Sequence, residues 1–173
     1  MTPEEFNALY PKVLGWITSV LSDHKNDAAP IASAGFVRLP RYFSRELLAV
    51  TKFVAMDRVP VPPLSALGLN RFAAFEQGDY DGITYLDTFF LKRGRVTDEG
   101  LHFHELIHVV QWRLLGPERF IFIYAAGLET FGYRNSPLEK MAYDAQESFA
   151  QSTTIFDAEK MVGNQLRSIG ALN

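Results

Sequence analysis

The hydrophobic and polar positions change their spacing several times along the chain, and each change predicts an element. Thr2-Pro3-Glu4-Glu5 has the form of a helix start, with Thr2 as N-cap, Pro3 at the first helical position and Glu5 closing a capping box. A second helical stretch is expected after Pro11, where Val13, Trp16, Ile17, Val20 and Leu21 recur at one-face spacing. Residues 27–40 read as loop, and Ser44 as the cap of a helix over 45–56. Val59-Pro60-Val61-Pro62-Pro63 is excluded as a central strand, because its prolines lack donors. Residues 70–76 and 83–91 predict two strands, joined as a hairpin through Gln77-Gly78-Asp79-Tyr80-Asp81-Gly82. Asp98 is a good N-cap for a helix running to about Leu115; Gly116 stops it and Pro117 starts another over 118–130. Ser136-Pro137 opens the last long helix, expected to reach about Asp157, with one short helix in the tail. Helices, then a small sheet, then helices make an α+β plan.

Composition narrows the class. A length of 173 residues suits a single domain over 1–173 with a real core, and 47% hydrophobic against 21% charged residues is ordinary for a globular protein. The net charge of −3, with no basic stretch, argues against a nucleic-acid partner. No apolar run approaches the ~18 residues of a membrane span. The acidic start of the chain is unlike an export signal. The lack of cysteine excludes disulfides and thiolate ligands and is compatible with a reducing cytoplasm, the expected location.

The chemistry concentrates in His104-Glu105-Leu106-Ile107-His108, an HExxH sequence. Residues four apart on a helix stand one above the other, so the two imidazoles converge, as one zinc ion with bonds of about 2 Å requires. Glu105 lies about 100° round from His104, at the rim of that face. There it can take a proton from a metal-bound water as that water attacks a carbonyl. A shuffled chain of this composition would contain the pattern with a probability on the order of 1% or less. On the same helix Phe103, Ile107, Val110 and Leu114 form another face that can bury it in the core. The strand just upstream, Gly82 to Thr88, could pair with an extended peptide by strand addition.

Such a site needs a third protein ligand and one open position. The extension HExxHxxGxxH is absent, since Gln111 and Leu114 stand in place of its Gly and last His. A glutamate on a later helix is the remaining common solution. Glu139 lies beside the apolar stripe Leu138, Ala142, Ala145, Phe149 and Phe156, whereas Asp144 and Glu147 turn toward solvent. Glu139 is therefore the best third ligand, although Ser136-Pro137-Leu138-Glu139 also has the form of a capping box that would use the same carboxylate.

HELIHVVQW followed by NSPLEKMAY resembles the gluzincin clan of zinc metallopeptidases, in particular its small bacterial, minigluzincin-like members. The resemblance covers roughly 82–146. It implies a zincin-like fold: a small antiparallel or mixed sheet, an active-site helix and a following glutamate-bearing helix. It also implies that His104, His108 and Glu139 bind one Zn2+ and that Glu105 is catalytic. Where thermolysin-like relatives carry an aspartate four residues after the ligand glutamate, this chain has Tyr143.

Supporting roles can be weighed. A donor to the developing oxyanion is expected from Tyr133 or Tyr143, which flank Glu139, and less from Tyr124. His102 points about 160° from His104 and is expected at the surface or behind the ligands. His24 is expected to be solvated. Gln111 either lines the cleft, orients a ligand or bonds backbone. Asp87 either bonds a ligand histidine or faces water, and Trp112 is assigned to packing. The function that follows is zinc-dependent hydrolysis of a peptide or protein substrate. The alternatives are a non-catalytic peptide- or protein-binding module with structural or vestigial zinc, and a metal-free helical protein in which the motif is accidental.

Overall fold

The computed structural model describes residues 2–151 and 154–172. Helix α1 (Pro3–Asp23) starts as the sequence predicts. The Thr2 hydroxyl accepts from the Glu5 amide, and the Glu5 carboxylate accepts from the Thr2 amide. It runs unbroken through Pro11, so the two expected helices are one. Its buried face, Phe6, Leu9, Val13 and Ile17, continues at helical spacing across the proline.

Strand β1 (Ala29–Pro30) lies inside the expected loop. The helix expected over 45–56 is divided: α2 (Arg45–Val50) is capped by Ser44, and β2 (Lys52–Met56) follows after Thr51 turns extended. Short propensity for helix yields here to long-range pairing, because β2 lies parallel to β4 (Thr88–Lys92) from Lys52↔Thr88 to Met56↔Lys92. The strand expected over 70–76 is instead a 3-10 turn (Asn70–Phe72) leading into α3 (Ala73–Glu76). Phe72 and Phe75 are both buried, three residues apart, which is helical rather than alternating spacing.

The hairpin also lies elsewhere. Strand β3 (Gly82–Tyr85) pairs antiparallel with β4 around Leu86-Asp87, so the single strand expected over 83–91 folds back on itself. Leu86 takes left-handed backbone at φ 58°, a conformation that no Gly or Asn announces here. The sheet order is β1-β2-β4-β3, mixed, with β3 at one edge.

Helix α4 (Glu99–Phe131) is capped by Asp98 and interrupted where expected, at Gly116, whose φ of 71° and ψ of 165° are not helical. From Leu101 to Trp112 every residue is buried. Leu114, expected in the core face, is 42% exposed. Helix α5 (Pro137–Gln151) opens at Ser136-Pro137, and α6 (Ala158–Ser168) is capped by Asp157. Asp157 thus begins a helix rather than ending one; the expected stretch through 152 and 153 lies outside the described residues. The result is an α+β fold in which the first half of α4 lies between the sheet and α5. Among the described residues, no helix is long and apolar enough to cross a membrane.

Candidate metal centre

Glu105 and the two histidines of the HExxH turn come from the most buried stretch of α4, and Glu139 from the first turn of α5. The exposures are 4% for His104, 2% for Glu105, 4% for His108 and 2% for Glu139. The rings present their Nε2 atoms to each other at 3.1 Å. Glu139 faces both, with Oε2 at 3.5 Å from His104 Nε2 and Oε1 at 3.5 Å from His108 Nε2. Asp144 and Glu147 are exposed. The capping box is not formed, since the Ser136 hydroxyl has no hydrogen-bond partner among the described residues and Glu139 turns to the histidines.

The neighbours of the rings fix their tautomers. Gln111 donates through Nε2 to the Leu138 carbonyl at 3.0 Å, which leaves its Oε1 to accept from His108 Nδ1 at 2.8 Å. Gln111 therefore bonds backbone and orients the ring at once. Gln146 Oε1 accepts from His104 Nδ1 at 3.2 Å; the sequence reading missed this residue, although Gln146 lies seven residues after Glu139, two turns along α5. With both Nδ1 atoms donating, the two Nε2 atoms that face each other are the ones left to bind a proton or a metal ion. Glu139 Oε2 is likewise buried without a hydrogen-bond partner among the described residues.

Three donors so placed could hold a metal ion. Four bonds of about 2.0–2.1 Å in tetrahedral directions put neighbouring ligand atoms about 3.3 Å apart, close to the 3.1 and 3.5 Å seen between these atoms. Charge points the same way. Among the described residues neither Glu105 nor Glu139 pairs with a lysine or arginine, so the two buried carboxylates have only imidazoles as side chains able to carry compensating positive charge.

Burial works against the charge of Glu139, but the His108 and His104 rings outweigh it and hold its carboxyl well below the usual range. Burial also disfavours a charged His108, yet Glu139 overrides it and pushes that ring up to about 9. Glu105 goes the other way: burial raises its carboxyl, with partial relief from the two histidines. A carboxyl raised toward neutrality is suited to accept and return a proton.

Strand β3 holds Glu105 in place. The Thr84 hydroxyl donates to Glu105 Oε2 at 2.6 Å, and Oε1 lies so close over Gly82 that a Cβ there would collide with it. Neither residue was singled out from the sequence, because the strand and the helix are brought together only by tertiary packing. Trp112 is more than packing: its Nε1 donates to the Thr84 carbonyl at 3.1 Å, and its ring stacks on Phe120 at 3.8 Å.

The tyrosines separate. Tyr124, ranked last from the sequence, donates its hydroxyl to Glu139 Oε1 at 2.6 Å. Tyr133 lines a cavity beside Glu105, His108 and Glu139, and burial with Glu139 nearby raises its pKa, so it keeps its proton. Tyr143 lies against the His104 ring at 4.6 Å, under the Arg134 guanidinium. Asp87 is exposed and accepts from the Thr88 hydroxyl, while the Nδ1 partners of His104 and His108 are Gln146 and Gln111. His24 is partly exposed and bonds Asp27. His102 is neither at the surface nor behind the ligands. It is fully buried among Phe36, Phe53 and Phe89, and its Nε2 donates to the Val96 carbonyl at 2.9 Å. No protein-family model, curated protein or solved structure matches the chain.

Proposed function

We propose that the chain is a zinc-dependent hydrolase of the metallopeptidase type, zincin-like in fold, acting on a peptide or related amide. His104, His108 and Glu139 would hold the ion, and the observation that carries the reading is the pair of facing Nε2 atoms, 3.1 Å apart, with a buried carboxylate 3.5 Å from each. Two imidazoles and a carboxylate suit zinc, and the fourth position is left for substrate or water. A zinc ion bound there supplies Lewis acidity, which polarises a carbonyl and makes water a better nucleophile.

The remaining work belongs to side chains. Glu105, fixed by Thr84, takes a proton from the attacking water at its free oxygen and passes it to the leaving amine. Tyr133, protonated and in the same cavity, donates toward the developing oxyanion, with Tyr143 the second candidate. Gln111 and Gln146 keep each ring's lone pair on Nε2, and Tyr124 restrains Glu139. A chain without cysteine suits cytoplasmic work.

Elemental analysis of the native protein tests the ion, with one equivalent of zinc expected. Incubation with a peptide library, with and without chelator, tests hydrolysis. The burial of all four groups favours a second reading, a scaffold that holds zinc and binds a partner without cutting it. On that reading zinc is present, the library is untouched and Glu105→Gln is silent.

A further inference from the structure

The site opens into a cavity of about 90 Å³ that reaches from Glu105, His108 and Glu139 to Leu9, Val13 and Ile17 of α1. Beyond the catalytic groups its wall is aliphatic and aromatic, with Leu64, Phe72 and Phe120 among the residues. Three of the tyrosine hydroxyls in that wall are already engaged. The Tyr80 hydroxyl donates to the Phe75 carbonyl, Tyr85 to the Pro60 carbonyl and Tyr124 to Glu139. Side-chain donors and acceptors are thus few in that wall, and an occupant gains chiefly by leaving water.

The edge of the sheet is equally informative. Lys92 donates to the Asp81 carbonyl, so 81, 83 and 85 face β4 and 82 and 84 face the free edge. An added strand would need the Thr84 carbonyl, which accepts from Trp112. The Trp16 ring of α1 also stands edge-on to Tyr85, 5.5 Å away, at the end of the same strand. On the edge the sequence offers to an extended peptide, the central carbonyl is therefore already occupied by one side-chain donor.

Resting on the hydrolase reading, we infer that the scissile carbonyl is carried next to a compact apolar group of four to six carbons, rather than within an extended polypeptide. An apolar cavity of about 150 Å³ takes benzene, and this smaller one suits a branched aliphatic group. That chemistry can come from an acyl amide or from a terminal aliphatic residue of a peptide.

Calorimetric titration of the zinc-loaded protein with aceto-, butyro-, 4-methylpentano- and octanohydroxamate tests the inference. Affinity should rise roughly fourfold per added methylene up to six carbons and gain nothing at eight. L-Leucine hydroxamate beside the 4-methylpentano compound separates the two sources: equal affinity points to a peptide terminus, and weaker binding of the amine to an acyl amide. Val13→Trp and, as a milder filling of the same wall, Ala125→Leu should each bring the ratio of 4-methylpentano- to acetohydroxamate affinity toward one. A series flat in chain length, or tighter binding of a peptide hydroxamate extended on both sides, overturns the inference while leaving the zinc intact. A second arm uses 4-methylpentanamide on the metal-free protein, read by the fluorescence of Trp112 in the cavity wall. Binding in this arm, together with failure to take up zinc, sinks the hydrolase reading and leaves the cavity's preference standing.

Discussion

Three histidines fall within seven residues of α4, and the two sides of one helix use them in opposite ways. His102 faces the sheet, where Phe36, Phe53 and Phe89 surround it and burial lowers its pKa, so it stays neutral and serves the backbone. His104 and His108 face α5, where Glu139 meets both. All three are buried to a similar degree. Burial therefore does not distinguish a ligand from a core residue; the chemistry of what lies opposite does. Opposite His102 are ring edges and one carbonyl, and opposite the other two is a carboxylate with a bare oxygen.

The strongest way to sharpen this contrast is to separate holding the ion from using it. Glu105→Gln should cost about 10²–10⁴-fold in hydrolysis, assayed against any peptide the library identifies, with zinc content unchanged. Glu139→Gln should weaken zinc affinity more than the roughly 10–100-fold typical of groups behind the ligands, measured by competition with a chromogenic chelator. Gln111→Leu acts through His108, with zinc affinity expected to fall about 10–100-fold. It also leaves the Leu138 carbonyl without its side-chain donor, at about 1–3 kcal/mol in denaturant melts.

The pH dependence follows from His108. In the metal-free protein Glu139 keeps that ring protonated up to about 9, so zinc must displace a proton below that pH. Apparent affinity should rise as pH is raised toward 9 and then level off, and calorimetry in buffers of different ionisation heat should count the released proton. A binding heat that is independent of buffer at pH 7 would contradict the pairing. The smallest effect on the site is expected from the other side of the helix. His102→Leu should cost about 1–3 kcal/mol by stranding the Val96 carbonyl, and leave zinc affinity where it was. A large loss of zinc in that variant would dissolve the distinction between the two faces.

The chain alone specified a good deal through local chemistry. Thr2, Asp98 and the Gly116-Pro117 break could be placed because caps and breakers act within one turn of their own backbone. His104, Glu105 and His108 share a face for the same reason, since helical geometry makes residues four apart neighbours. Glu139 was reachable through its position beside an apolar stripe. What tertiary structure decided is whatever depends on partners distant in sequence. β2 is a strand because β4 lies beside it, the hairpin turns at a leucine, and His102 is sealed by three rings from separate segments. Thr84 and Gly82 meet Glu105 across more than twenty positions, and Gln146 meets His104 across forty-two. Period and propensity describe a residue's own element; long-range contact selects which side chain stands opposite it, and that choice separates a buried structural ring from a candidate ligand.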